Sequence, residues 1–215
     1  MGTLIWFLIA CGLLSAILAN SSGSRSKTKY NYEEWFDRVR HNTDNLINFF
    51  SRLQNDDALC EFVESQTGAV LKYNGKIISD PKDKLKQLLL MDVVKCYTIM
   101  GYSPSSNSKR SIPFFLFYSK LTDPDIKIDI ENIDIFMEKC KESFCSISSQ
   151  LVNSVSKSSD ILFIAEYLKH YDLDVMHEYV RILLEFGYKV AGAEGKVSKA
   201  DDQKLDIIFN YTRVV

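Results

Sequence analysis

The chain lacks a strong net charge: 26 Lys and Arg stand against 28 Asp and Glu, a balance of −2 over 215 residues. Nucleic-acid binding leaves a basic footprint, so no nucleic-acid partner is expected. No Cys-x-x-Cys occurs, and the five cysteines, Cys11, Cys60, Cys96, Cys140 and Cys145, show no framework spacing. An odd count of that kind favours free thiols in a reducing compartment, packed as small hydrophobes. Gly-x-Ser-x-Gly and Gly-x-x-x-x-Gly-Lys are both missing, and the nine glycines are scattered. Neither a nucleophile elbow nor a phosphate loop is therefore expected. Only three histidines are present, His41, His170 and His177. His177-Glu178 lacks the second histidine of a zincin helix, because Arg181 stands in its place. Cys140 and Cys145 on one helix would lie about 140° apart around its axis, which is poor for shared ligation.

What is present supports a real core. Hydrophobic residues make up 46% of the chain and aromatics 12%, enough for one or two domains. Residues Gly2 to Ser24 carry no side-chain charge, and Thr3–Ala19 is almost wholly apolar. At about 1.5 Å per residue this run reaches roughly 25 Å as a helix, the lower limit for crossing a bilayer. Trp6 suits an interface, and Arg25, Lys27 and Lys29 follow the run at once. The positive-inside rule then keeps the bulk of the chain in the cytoplasm, behind a single-pass anchor at residues 1–19. Residues 20–30 read as a basic, Ser-rich linker. Its cations suit anionic lipid better than nucleic acid. Two alternatives remain open. Ala19-Asn20-Ser21 resembles a cleavage site of an exported protein, although a basic n-region is missing. Leu8-Ile9-Ala10-Cys11 resembles a lipobox, although apolar sequence continues beyond Cys11.

Helical spacing dominates residues 31–215. Tyr32, Trp35, Phe36, Val39, Leu46, Phe49, Phe50 and Leu53 predict a helix over 31–53, with Glu33 and Glu34 in its first turn. A short helix is expected from Asp56 or Asp57 to Ser65. Asn74-Gly75 between β-compatible runs predicts a small hairpin at 69–79. Asp80-Pro81 opens the next helix as N-cap and N1, and Gly101 closes it. Its expected stripe is Leu85, Leu88, Leu89, Val93, Cys96, Tyr97 and Met100. Further helices are expected at Ile112–Leu121, Ile130–Val155, Asp160–His170, Val175–Ala191 and from Lys199 onward. Lys127-Ile128-Asp129 echoes Lys196-Val197-Ser198 after a similar helix and turn. A true repeat and chance both explain that echo, because caps recur everywhere.

The corner Ala193–Asp202 joins the last two helices. Gly195 can take φ > 0 and end the first of them. Val197 is expected to tuck into the core. Ser198 and Asp201 have capping-box spacing, and Asp201 with Asp202 suits a positive helix start. The acids invite a calcium comparison. Aligning Gly195 with the EF-hand glycine puts Val190 and Gly192 where the first acidic ligands belong, so an EF-hand is excluded. A looser divalent-cation site from Glu194, Asp201 and Asp202 stays open beside capping. No catalytic residue and no bound cofactor is expected, although an enzyme with a site unrecognisable from sequence is a further alternative.

Ala193-Glu194-Gly195-Lys196-Val197-Ser198-Lys199-Ala200-Asp201 resembles the TerB family, named for tellurite resistance. That family carries a signature close to Ala-Asp-Gly-x-Val/Ile-Ser-x-x-Glu. Glu194 replaces its Asp and Asp201 its Glu, so charge is kept and reach changes by one methylene. The resemblance is clearest over Asp160–Val215 and extends to a TerB-like part of about 82–215. It implies a multi-helix bundle with an acidic surface, working as a non-catalytic interaction or scaffold module in stress responses, including tellurite or metal-oxyanion stress. Together these readings give a mainly α protein with one N-terminal transmembrane helix, a small hairpin and protein partners at a membrane. The anchor predicts that the full chain sediments with membranes and keeps Met1 or Gly2 at its terminus. A mature terminus near Ser22, or lipid on Cys11, identifies an exported or lipid-anchored protein instead.

Overall fold

A computed structural model describes residues 31–67, 72–73, 76–104, 108–138, 142, 145–146 and 162–210. The expected anchor at 1–19, the linker at 20–30 and most of the helix expected to continue beyond residue 138 lie outside them. Among the described residues no helix is long and apolar enough to cross a membrane.

Helix α1, Tyr32–Gln54, buries Trp35, Phe36, Val39, Leu46, Phe49, Phe50 and Leu53. These fall three or four residues apart, so one stripe faces the core. Trp35 donates its indole N–H to the Lys189 carbonyl at 3.0 Å, which anchors the stripe's first turn to a distant helix. Helix α2 covers Asp57–Thr67. It buries Leu59, Cys60 and Val63. Lys72–Tyr73 (β1) then pairs antiparallel with Lys76–Ile77 (β2), in the register Lys72↔Ile77 and Tyr73↔Lys76. This ladder is minimal: residues 78–79 of the expected hairpin are not strand, and 69–71 and 74–75 lie outside the described residues.

Helix α3, Pro81–Met100, is the axis of the fold. Asp80 caps its start by accepting from the Lys82 amide at 2.8 Å. Gly101 ends it in the left-handed region at φ 75°. Its buried set exceeds one stripe: Leu85, Leu88, Leu89, Leu90, Val93, Val94, Cys96, Tyr97 and Met100 are joined by Lys84, Asp92 and Lys95. A helix buried on several sides must be surrounded by others. α3 packs against α1, α2 and each of the four helices that follow it below. Lys84 keeps its charge at the edge by pairing with Glu64 at 2.7 Å.

The second half closes around α3. A 3-10 turn at Lys109–Ser111 leads into α4, Ile112–Thr122, which carries Pro113 in its first turn. Phe114, Phe115, Leu116 and Phe117 are all buried, so α4 is apolar around most of its circumference. Residues 124–125 and 130–132 form turns, and a helical stretch begins at 133. It starts later than the expected Ile130 because the Asn132 amide closes a turn on the Asp129 carbonyl at 3.1 Å. Helix α5 is Phe163–Tyr171 and α6 is Leu173–Ala191. The broad connection expected at Tyr171–Asp174 contracts to Asp172, which accepts from the amides of Asp174 and Val175 at 2.9 and 3.0 Å. A 3-10 turn at Gly192–Glu194 precedes α7, Lys199–Phe209.

Tyr97 ties α3 to the start of α4. Its hydroxyl donates to the Arg110 carbonyl at 2.7 Å and accepts from the Phe114 amide at 3.1 Å, and its side chain is fully buried. Tyr97→Phe removes both bonds with almost no change of volume. The expected cost is about 1–3 kcal/mol, read as a lower urea midpoint at unchanged slope.

Candidate functional site

The corner between α6 and α7 forms the expected glycine turn and capping box, with Asp201 turned inward and Glu194 left exposed. Gly195 adopts φ 118° and ψ −72°, a conformation that side chains with a Cβ rarely reach. Ser198 then caps α7. Its hydroxyl accepts from the Asp201 amide at 3.1 Å, and Asp201 reaches back to the Ser198 amide and hydroxyl at 3.4 and 2.7 Å. The shorter Asp therefore completes a capping box in place of Glu. Val197 departs from expectation: it lies 36% exposed, whereas Ile128 in the echoed segment is buried. The two segments therefore differ in what they bury.

Three aromatic and basic side chains close on the corner from elsewhere in the chain. Tyr102, just beyond α3, donates to Asp201 Oδ1 at 2.7 Å. Tyr188 of α6 donates to Asp202 Oδ1 at 2.8 Å. Arg110 pairs with Glu194 at 3.1 Å and stacks over the Tyr102 ring at 4.1 Å. Lys204 of α7 donates to the Met100 carbonyl at 2.8 Å, satisfying the open end of α3. Close contact is possible because Gly187 on α6 faces Leu205; an added Cβ would come within 2.4 Å of its side chain. The three candidate cation ligands thus share a corner, yet each answers to a different partner. Among the described residues no group of three or more His, Cys, Asp or Glu is placed to hold a metal ion.

Asp201 is 4% exposed, so it belongs to the core and not to an acidic surface. Burial acts to push its carboxyl up, but the bonds from Ser198 and Tyr102 and the nearby Arg110 charge together hold it below the usual carboxylate range. Tyr102 moves the other way: burial and the Asp201 carboxylate push its phenol up to about 12. The outward side of the corner presents Glu194, Lys196, Val197 and Lys199.

A second polar centre was not singled out by sequence. Asp92, in the middle of α3, is wholly buried. Its Oδ1 accepts from the Phe163 amide at 2.6 Å, and its Oδ2 accepts from the Ile164 amide at 2.9 Å and the Tyr179 hydroxyl at 2.9 Å. Burial pushes this carboxyl up to about 7, against the pull of those three donors and of Lys95. Lys95 is also buried, with its ammonium 4.4 Å above the Phe163 ring. The legible signal was an acid and a base three residues apart on a helix apolar around most of its girth.

The open space lies elsewhere. A cleft of about 350 Å³ is lined by Glu33, Phe36, Asp37, Arg40, Asp129, Ile130 and Glu131. Arg40 spans it, 2.9 Å from Asp37 and 3.7 Å from Asp129. Its lining holds four carboxylates and one guanidinium but neither a cysteine nor a histidine. Comparison with protein-family models, curated proteins and solved structures finds no match.

Asp201 sets a pH dependence. Its folded pKa is depressed, so its stabilisation is present above the unfolded value and is lost as pH falls through the folded one. Asp201→Asn is expected to cost about 1–2 kcal/mol at pH 7 in denaturant titrations. The gap from wild type should narrow as both are taken below about pH 4.

Proposed function

We propose that this protein is a membrane-anchored, TerB-like helical interaction module, tethered through residues 1–19 and working without catalysis in a stress response. The observation that carries the reading is the locked corner. Gly195, the Ser198–Asp201 box and the inward bonds of Asp201 and Asp202 hold an exposed turn in one conformation. A rigid turn that displays Lys196, Val197 and Lys199 loses little conformational entropy on binding, which favours recognition by a protein partner. The carboxylates that a loose cation site would use already accept bonds from Tyr102, Ser198 and Tyr188 or pair with Arg110. Scaffolding therefore accounts for the residues better than cation chemistry does.

The partner is expected on the cytoplasmic face of the membrane that residues 1–19 enter, and metal-oxyanion stress such as tellurite is the condition the resemblance implies. Cross-linking of the full chain in its native membrane fraction tests the proposal. A Lys196→Glu, Val197→Asp, Lys199→Glu variant should lose its specific cross-links by at least about tenfold at unchanged thermal midpoint, since reversed charge and an inserted carboxylate oppose the same contact. An identical cross-link pattern in wild type and variant overturns the role of the corner. Equal tellurite sensitivity with and without the chain overturns the stress assignment.

A further inference from the structure

Helix α7 buries Asp201, Leu205 and Ile208, which fall on one side of it at spacings of four and three. Its outer side is exposed at Lys199, Ala200, Gln203 and Ile207. Ala200 and Ile207 are seven residues apart, so they stand on one line, about 10 Å apart along the axis. Val197 lies two residues before the helix starts, at the head of that line. Ile207 is 40% exposed and Val197 36%. A single exposed hydrophobe is ordinary. Two of them with an alanine, running from a capped turn along one helix, form a face that suits a second helix, whose own apolar residues recur at three and four.

Charge at the head of the line has one sign. Lys196 and Lys199 are exposed, and neither forms an ion pair among the described residues. The nearby acids are engaged: Glu194 pairs with Arg110, Asp201 is buried, and Asp202 accepts from Tyr188. Asp206 is one residue from Ile207, so it points about 100° away around the helix, toward the Tyr188 side.

We propose that the outer face of α7 docks an acidic amphipathic helix of the partner protein. Its apolar stripe covers Val197, Ala200 and Ile207, and its carboxylates meet Lys196 and Lys199. The inference rests on the reading of the corner as a recognition surface, and it adds Ile207 and the chemistry of the partner. Apolar contact along the line supplies affinity, and the two lysines supply selection. A basic helix would set like charges against both, and a neutral one would cover them without a counter-charge.

The test titrates the full chain, in nanodiscs of neutral lipid, with a fluorescent Leu/Glu amphipathic helix peptide; empty nanodiscs are the blank. Saturable binding above the blank is expected. It should weaken at least about tenfold for a Leu/Gln peptide of the same pattern, and for a Lys196→Glu, Lys199→Glu variant. Ile207→Asp should weaken it as much at unchanged thermal midpoint, because Ile207 faces solvent. Raising salt from about 0.1 M to 1 M should also weaken it, as the screening length falls from about 10 Å to 3 Å. Binding no greater than the blank, equal binding of the Leu/Glu and Leu/Gln peptides, or an unaffected Ile207→Asp variant overturns the proposal. Displacement of the peptide when anionic lipid replaces neutral lipid overturns it too, and makes the lipid surface the occupant. The cross-links in native membranes are read separately: if the corner variant loses them while both peptides bind equally, recognition at the corner stands and the acidic partner falls.

Discussion

The fold turns on one carboxylate taken out of water. Asp92 sits where a helix surrounded by apolar neighbours would ordinarily carry Leu or Val, and its burial is tolerated because three donors converge on it. Those donors come from α5 and α6, so α3 cannot be solvated by its own polar residue unless both later helices are in place. The arrangement is all or nothing at this point. Remove the carboxylate, and two helix-terminal amides and a buried phenol lose their shared acceptor. Leave it without α5, and an acid is stranded against the hydrophobic core. Lys95 repeats the theme one turn on, with its ammonium held over the Phe163 ring.

The corner at the other end of α3 works by the same logic in milder form. Asp201 closes its own capping box and then accepts from Tyr102, a residue that follows the left-handed end of α3. Lys204 returns the favour by satisfying the Met100 carbonyl. The C-terminus of one helix and the N-terminus of another are therefore capped by each other's neighbourhoods. Complementary dipole ends favour this meeting, since an acid belongs at a helix start and a cation at a helix end. Arg110, between Glu194 and the Tyr102 ring, binds the 3-10 turn before α4 into the same cluster.

These two centres bear on function differently. The corner turns Asp201 in and leaves Glu194, Lys196, Val197 and Lys199 exposed. Its carboxylates are already engaged by Tyr102, Ser198, Tyr188 and Arg110. The Asp92 centre is sealed from solvent and joins α3 to α5 and α6.

Local pattern was enough for most of the helices. Three-and-four spacing placed α1, Asp80-Pro81 and Gly101 marked both ends of α3, and Ser198 with Asp201 announced their capping box, because each of these signals involves residues within one or two turns. The late start at residue 133 and the short joint at Asp172 are local turns that spacing alone passed over, but the other misses were long-range. Nothing near Val197 says whether it points in or out; the φ of Gly195 and the packing of α6 on α7 decide that. Nothing beside Asp201 foretells Tyr102, which is 99 positions away and turns an apparent surface acid into a core one. The start of α5 was misplaced for the same reason, since its cap is supplied by another helix. Periodicity and caps are properties of neighbouring residues and can be read in order along a chain. The partner of a buried charge is chosen only when helices meet, so the joint at Asp92 and the inward turn of the corner belong to the tertiary structure alone.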